Sequence, residues 1–259
     1  EIDSTQNYVE REHETFDQGR LTAISADFQT AGRGTHQRTW QAAHGKSVLI
    51  TFFFRFPPDC STEFVNANAA NVTKIVALAT LESLRWAALD CTDQGKSLQF
   101  GMKWPNDVVV NNSKIAGVLA RAVMDHEIGR LDGVIVGVGA NINTPKEQLD
   151  HIHRPVWPAT SLHAAVGGER TFDVTAVRKR LIRNFATDLR AFFSGGFPAF
   201  RDRVNRLEVL MGSEVRFRVR ESEEVVGVFE GVDEDGLLQL RLPSGQTRSY
   251  PSGEIIPRV

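Results

Sequence analysis

The sequence predicts an α+β protein in two parts: a larger mixed-sheet domain over residues 1–210 and a small antiparallel β domain over residues 211–259. Three observations carry this. Strand patterns near 21–28, 47–56, 98–102 and 131–138 are interleaved with two long helical stripes, near 66–89 and 173–195. The composition changes close to Gly212, after which several short strands follow one another, the mark of a small barrel. A chain of 259 residues allows one or two domains with a sizeable core.

Asp3 to Asn7 is a polar cluster ahead of a charged segment reaching about Glu14. Ser4 or Thr5 suits a helix N-cap, either presenting the first amides to a ligand or only capping them. Leu21 to Phe28 alternates as a strand and runs into a glycine-bearing basic segment, Gln29 to Trp40. There Gly32 and Gly34 permit close backbone approach, Arg33 and Arg38 offer forks for phosphate, and Trp40 offers a flat wall. No dinucleotide-binding glycine pattern and no phosphate loop is present, and His36 lacks a nearby partner at metal-ligand spacing.

Ser47 to Phe56 carries four phenylalanines and reads as a buried strand closed by Pro57-Pro58. Asn66 to Leu89 holds the helical stripe Val72, Ile75, Val76, Ala79 and Leu84, closed by Thr92 to Gly95. Leu131 to Val138 is a strand leading through Gly139 to Asn141. Asn141 and Asn143 share a face that either reads a polar ligand edge or merely forms a turn. Pro155 to Thr160 is loop and Ser161 to Val166 a short helix. Asp173 caps the second long helix, striped by Val177, Leu181, Phe185, Leu189 and Phe192 and ended by Gly195-Gly196. A shorter helix follows Pro198, and the domain boundary is placed at Leu210 to Gly212. Val215, Phe217 and Val219 then alternate, with turns at Asp233 to Gly236 and Pro243 to Gly245.

The stretch that organises the rest is Lys103-Trp104-Pro105-Asn106-Asp107. Leu98 to Met102 leads in as a strand. Pro105 removes a ladder donor and marks a bend, Val108 to Val110 favour extended backbone, Asn111 to Ser113 turn, and Ile115 to Val123 returns. Such a hairpin holds Lys103 and Lys114 near one mouth, with Asn106 and Asp107 beside them. Two cations by one carboxylate suit a phosphate-bearing or carboxylate-bearing ligand; a solvated hairpin tip is the competing interpretation. The net charge of -2 offers nucleic acid no electrostatic footprint. Cys60 and Cys91, far apart, point to a reducing compartment and no structural zinc. No apolar run is long enough to span a bilayer.

Taken together, these motifs resemble the biotin protein ligase family, over nearly the whole chain. The family pattern is Ser-Thr-Asn near the start, a Gly-Arg-Gly-Arg-Arg-Gly-Arg-x-Trp loop, Lys-Trp-Pro-Asn-Asp, a lysine seven residues later with a following glycine, and Gly-x-Gly-x-Asn. Here these are Ser4-Thr5, Gly32 to Trp40, Lys103 to Asp107, Lys114 with Gly117, and Gly137 to Asn141. Two departures stand out. Thr35 stands where the family loop has its second arginine, and Gln6 stands where the family has Asn, with Asn7 one place later. The resemblance implies the class II synthetase-like biotin/lipoate ligase fold with an SH3-like C-terminal domain. It also implies the type without the DNA-binding helix-turn-helix carried by members that are also repressors.

The implied chemistry is two steps at one site. Biotin and Mg-bound ATP give biotinyl-5′-AMP, and a carrier-domain lysine of a biotin-dependent carboxylase then takes the biotin. In that scheme Lys114, Arg33 and Asp107 are catalytic, with Asp107 a general base or magnesium contact. Ser4, Thr5, Gln6, Gln29, Arg33, Gly34, Thr35, Lys114 and Gly117 bind biotin. Arg33, Arg38, Trp40, Lys103, Asn106 and Asn141 bind ATP and the adenylate. The loop Gly32 to Trp40 is expected to order on ligand binding, and Thr35 is expected to let the adenylate leak. The implied setting is cytoplasmic or organellar, without DNA or membrane partners, and an edge strand admits either the carrier domain or a second copy. The alternatives are a lipoate protein ligase-type enzyme and a non-catalytic biotin-binding or partner-binding module.

Overall fold

The computed structural model describes residues 1–35, 38–89, 97–125, 127, 129–152, 157–220 and 223–256. The expectations at His36, Cys91, Thr92 to Gly95 and Pro155 fall outside these residues. Strands β1 (Thr22–Ala26), β2 (Ser47–Arg55), β3 (Phe100–Lys103), β4 (Asp107–Val110), β5 (Ser113–Asp125) and β6 (Arg130–Asn141) form a six-stranded sheet in the order β1-β2-β6-β5-β4-β3. Its ladders are antiparallel; among the described residues parallel pairing enters as isolated bridges at Ile2–Gln29, Met102–Glu208 and Lys114–Ala159.

The apolar run of β2 is buried on both sides because both sides are covered. Val48, Ile50, Phe52 and Phe54 join the main core. That core takes up α3 (Val72–Leu89) and α6 (Val174–Gly195), the elements predicted from their helical stripes. Phe53, on the other face, meets Val9 of α1 (Thr5–Glu12) together with Val123 and Ile135. Short helices α4 (Lys146–Asp150) and α5 (Leu162–Ala165) follow β6, and α7 (Pro198–Leu207) follows α6. Ser4, Ser161 and Asp173 are N-caps: Ser4 accepts from Gln6 N, Ser161 from Ala164 N, and Asp173 from Thr175 N and Ala176 N.

The first long helix departs from its prediction. It begins earlier, as α2 (Thr62–Asn68) capped by Ser61, and a 3₁₀ turn at Ala69–Asn71 separates it from α3. The cause is two asparagines whose amides serve tertiary partners. Asn68 Oδ1 accepts Phe197 N–H at 2.7 Å, and Asn71 Nδ2 donates to Asp235 O at 2.9 Å.

Beyond Gly212, β7 (Glu214–Arg220), β8 (Glu223–Val232), β9 (Leu238–Arg241), β10 (Thr247–Tyr250) and β11 (Glu254–Ile256) form an antiparallel five-stranded sheet, ordered β10-β9-β8-β7-β11. Its apolar face continues the main core: Trp104 packs on Phe217 with ring centroids 5.8 Å apart, and Phe217 on Tyr250 at 5.0 Å.

The chain crosses between the sheets beside β3. Val209 N donates to Met102 O at 3.0 Å, and a Cβ on Gly101 would lie 2.9 Å from Leu207 O, so only glycine fits there. Glu208, at this crossing, is buried and accepts Trp104 N–H at 3.0 Å through Oε2. Burial raises its pKa to about 8 from 4.5 despite Lys103 nearby. Between those two values the folded protein holds a proton that the unfolded chain releases, so stability falls as pH rises from 4.5 to 8. Glu208→Gln should flatten that slope. Melting temperatures taken from pH 5 to 9 would show the variant gaining on the parent as pH rises, and parallel curves would contradict the assignment.

Candidate functional site

The site rests on a cross-strand row: Lys103 faces Asp107, Asp107 faces Gly117, Gly117 faces Gly139, and Gly139 faces Leu49. Paired residues project to one side of a sheet, so these lie on the face that α1 covers. Lys114, three residues before Gly117, would point to the opposite side in a regular strand. The β4–β5 register shifts at Ile115, with Val108 opposite Ala116 and Val109 opposite Lys114. This bulge turns Lys114 back onto the row. Lys114 Nζ then pairs with Asp107 Oδ1 at 2.6 Å.

The two glycines make the floor flat, and Trp40 occupies the space. A Cβ on Gly139 would lie 2.6 Å from Trp40 Nε1, and one on Gly117 would lie 3.2 Å from Lys114 Nζ and 3.3 Å from the Trp40 ring. Lys114 Nζ is 5.9 Å from the Trp40 ring centre. Trp40 arrives on a folded-back segment, with Trp40 N donating to Gly32 O at 3.0 Å and Gly34 N to Arg38 O at 2.7 Å. Its indole N–H is buried without a partner.

Next to this floor is a polar slot lined by Ser4, Thr5, Gln6, Gln29, Thr51 and Asn106, with Arg33, Gly34, Thr35 and Lys114 at its rim. Thr5 donates twice to Gln29 Oε1, from N at 2.7 Å and from Oγ1 at 2.9 Å. Its hydroxyl lies 2.9 Å from Thr51 Oγ1. Gln6 Nε2 donates to Leu119 O at 3.3 Å and Asn106 Nδ2 to Val118 O at 2.6 Å. Ser4, Thr5 and Gln6 are buried, so the cap is part of a lined slot and not a surface ornament. Gln6 thus occupies the slot, while Asn7 turns to Arg33, whose Nη1 donates to Asn7 Oδ1 at 2.8 Å.

A larger cavity of about 340 Å³ adjoins it across Trp40, Lys114 and Asn106. Lys103, Arg38, Asp107 and Asn141 line it, together with Trp157 and Glu254. Lys103 is buried with its ammonium 5.7 Å from the Trp157 ring centre. Burial pulls its pKa down, and Asp107 opposes the shift. Asn141 donates to Thr160 O at 3.1 Å, leaving its buried Oδ1 without a partner. Arg38 Nη2 reaches Glu254 Oε1 of β11 at 2.7 Å.

The structure therefore brings the predicted residues Lys103, Asn106, Asp107, Lys114, Gly117, Trp40 and Asn141 together with Ser4, Thr5, Gln6, Gln29, Arg33, Gly34, Thr35 and Arg38. Asn143 is a correction. It follows β6, and both ends of its amide bind Phe172 backbone at 2.8 Å, so it braces a loop instead of reading a ligand. Thr51, Trp157 and Glu254 were missed. Thr51 had a signal, as the one polar residue inside the apolar run Val48 to Phe54; Trp157 and Glu254 had none. Among the described residues no group of three or more His, Cys, Asp or Glu side chains is arranged to hold a metal ion.

The model of the biotin/lipoate A/B protein ligase family matches residues 1–141, and that of the biotin protein ligase C terminal domain matches residues 210–258. The chain is 28% identical over 229 residues to the bifunctional ligase/repressor BirA of Bacillus subtilis, covering 88% of this chain and 64% of that protein. It is 28% identical over 234 residues to the biotin–[acetyl-CoA-carboxylase] ligase of Mycobacterium tuberculosis, covering 90% and 77%. The fold matches biotin protein ligase from Aquifex aeolicus in complex with biotin and ATP, with a TM-score of 0.74 and 24% identity, covering 98% of this chain and 94% of the other. The chain thus spans about 64% of the length of the Bacillus relatives it matches.

Gly139→Ala tests the floor. Overpacking against Trp40 should cost about 1–3 kcal/mol in urea unfolding. The displaced indole should also weaken ligand binding about tenfold in calorimetry. A variant as stable and as tight-binding as the parent would show that Trp40 does not rest on Gly139.

Proposed function

The chain belongs to the biotin/lipoate A/B protein ligase family, and we propose that it is an ATP-dependent biotin protein ligase. One observation carries the reading. A buried slot rich in hydrogen-bonding side chains opens, past Lys114, into a larger cavity lined by Lys103 and Arg38. A neutral ring with a carboxylate tail fits the first, and a nucleotide fits the second.

The first step joins a biotin carboxylate oxygen to the α-phosphorus of ATP, and pyrophosphate leaves with the bonding pair. Two anions must meet, so cations have to stand on both sides of the reacting centre. Lys114 is assigned to the carboxyl oxygen, where charge changes most, and Asp107 holds its ammonium in place. Arg33 is assigned to the carboxylate and phosphate region, and Lys103 and Arg38 to the phosphates. Lys103 suits this because burial weakens its hydration, so an incoming phosphate regains for it a charge partner. Magnesium arriving with ATP would neutralise further phosphate charge, and Asp107 is the carboxylate of the row suited to contact it.

Ser4, Thr5, Gln6 and Gln29 are assigned to the ureido ring, whose buried donors and acceptors need partners. Gly34, Thr35 and Gly117 let backbone approach the tail, and Asn106 and Trp40 close over it. Asn141 offers its unpaired Oδ1 to an adenine N–H. In the second step an acceptor lysine amine attacks the anhydride carbonyl. AMP leaves, the amide forms, and the amine proton passes to a base, for which Asp107 is the candidate. Positioning supplies most of this catalysis, since no covalent enzyme intermediate is required.

We assign the acceptor to a carrier domain of a biotin-dependent carboxylase and read residues 1–210 as the catalytic domain and 211–259 as the C-terminal domain. The matched family models, at 1–141 and 210–258, support that division. Strand β1 ends the first sheet, and its outer edge suits either the carrier domain or a second copy. No helix among the described residues is long and apolar enough to cross a membrane.

Biotin-dependent exchange of labelled pyrophosphate into ATP tests the reading, with lipoate and octanoate as parallel acids. Exchange with biotin alone is expected; exchange with lipoate would move the chain to the sister activity, and none with any acid would remove the adenylation step. Lys114→Ala should lower exchange by about a hundredfold or more, and a near-normal rate would take Lys114 out of catalysis. Because Thr35 adds no positive charge to the loop, free biotinyl-AMP should escape and label lysines of a bystander protein. Labelling confined to the carrier lysine would contradict this.

A further inference from the structure

We propose that Glu10 is the positioning residue for Arg33, and that through it α1 controls how long the site holds its adenylate; this rests on the ligase reading above. Arg33 Nη1 is bound from one side, by Asn7 Oδ1 at 2.8 Å and by the Glu10 carboxylate at 3.2 and 3.3 Å. Asn7 and Glu10 are three residues apart on α1 and so share a face of the helix. Glu10 Oε1 also takes Arg121 Nε of β5 at 3.1 Å. One carboxylate thus serves two guanidinium groups, and the three side chains together keep a positive charge. A fully neutralised Arg33 would be parked away from anions. A shared carboxylate instead holds Arg33 at Nη1 while leaving the cluster attractive to a phosphate or carboxylate.

The same helix carries the polar slot. Ser4 caps it, and Thr5 and Gln6 line the cavity from its first turn. Glu10 therefore fixes Arg33 relative to the residues assigned to the ring of the ligand. An arginine held in advance loses less freedom when the anion arrives. With Thr35 uncharged, the rim of the slot depends on Arg33 and Lys114 for its cations.

The test is Glu10→Gln, alone and in an Arg33→Gln background. In the full chain, the half-life of enzyme-bound biotinyl-AMP should fall about tenfold in Glu10→Gln, with a smaller fall in the maximal rate of pyrophosphate exchange. In the Arg33→Gln background, Glu10→Gln should change the half-life no further, which a merely structural loss in α1 would not reproduce. Trypsin cleavage after Arg33, followed by mass spectrometry without any ligand, should be several-fold faster in Glu10→Gln. An unchanged half-life, or an equal loss in both backgrounds, would overturn the proposal. If the parent shows no exchange with any acid, the ligase reading fails. The trypsin comparison then decides by itself, and equal cleavage rates refute the positioning of Arg33 by Glu10.

Discussion

Two glycines facing each other across β5 and β6 decide what the rest of the site is able to be. Gly117 and Gly139 leave a strip of sheet without side chains, and the Trp40 indole lies on it. A methyl group at either position meets that ring or Lys114. The strip also leaves Lys114 and Asp107 as neighbours at its edge, close enough for a 2.6 Å ion pair. A flat floor, the aromatic ring lying on it and a charged edge together border the polar slot. The antiparallel register supplies the floor, and one bulge supplies the edge.

Around that floor lie many buried polar groups, and those of the slot form paired networks. Thr5, Gln29 and Thr51 form one network, and Gln6 and Asn106 are anchored on the backbone of β5. Such networks hold their shape because breaking one member leaves its partners unsatisfied in a poorly solvated place. Three of the groups left open line the cavities: Trp40 Nε1, Asn141 Oδ1 and Trp157 Nε1. A fixed polar frame with a few open donors and acceptors favours one ligand orientation over others.

Much of this was legible in the sequence. The order Lys103 to Asp107, then Lys114 and Gly117, put the cations and the carboxylate at one mouth, and the helical stripes located α3 and α6. The reason is that short-range spacing and periodicity fix which side chains share a strand or a helix face. The bulge at Ile115 was not legible: simple alternation sends Lys114 to the wrong side of the sheet, and only pairing with β4 corrects it. Asn68 and Asn71 interrupt a good helical pattern for partners far along the chain, Phe197 and Asp235. Asn143 looked like a ligand reader because its own loop partner, Phe172, is distant in sequence. Glu10 read as one charge among several on a polar helix. Its role depends on Arg33 and Arg121, which arrive from two other elements.

The contact between Arg38 and Glu254 links the segment that carries Trp40 to the last strand of the second sheet. Glu254 also lies 3.6 Å from Arg218, so a single carboxylate stands between guanidinium groups from both halves of the protein. Both arginine side chains are open to solvent over roughly half their surface, at 47% and 41%. Ion pairs of this kind weaken as added electrolyte shortens the screening distance, which is about 8 Å at physiological ionic strength. The contact that ties the segment carrying Trp40 to the second sheet is thus electrostatic on both sides of one carboxylate.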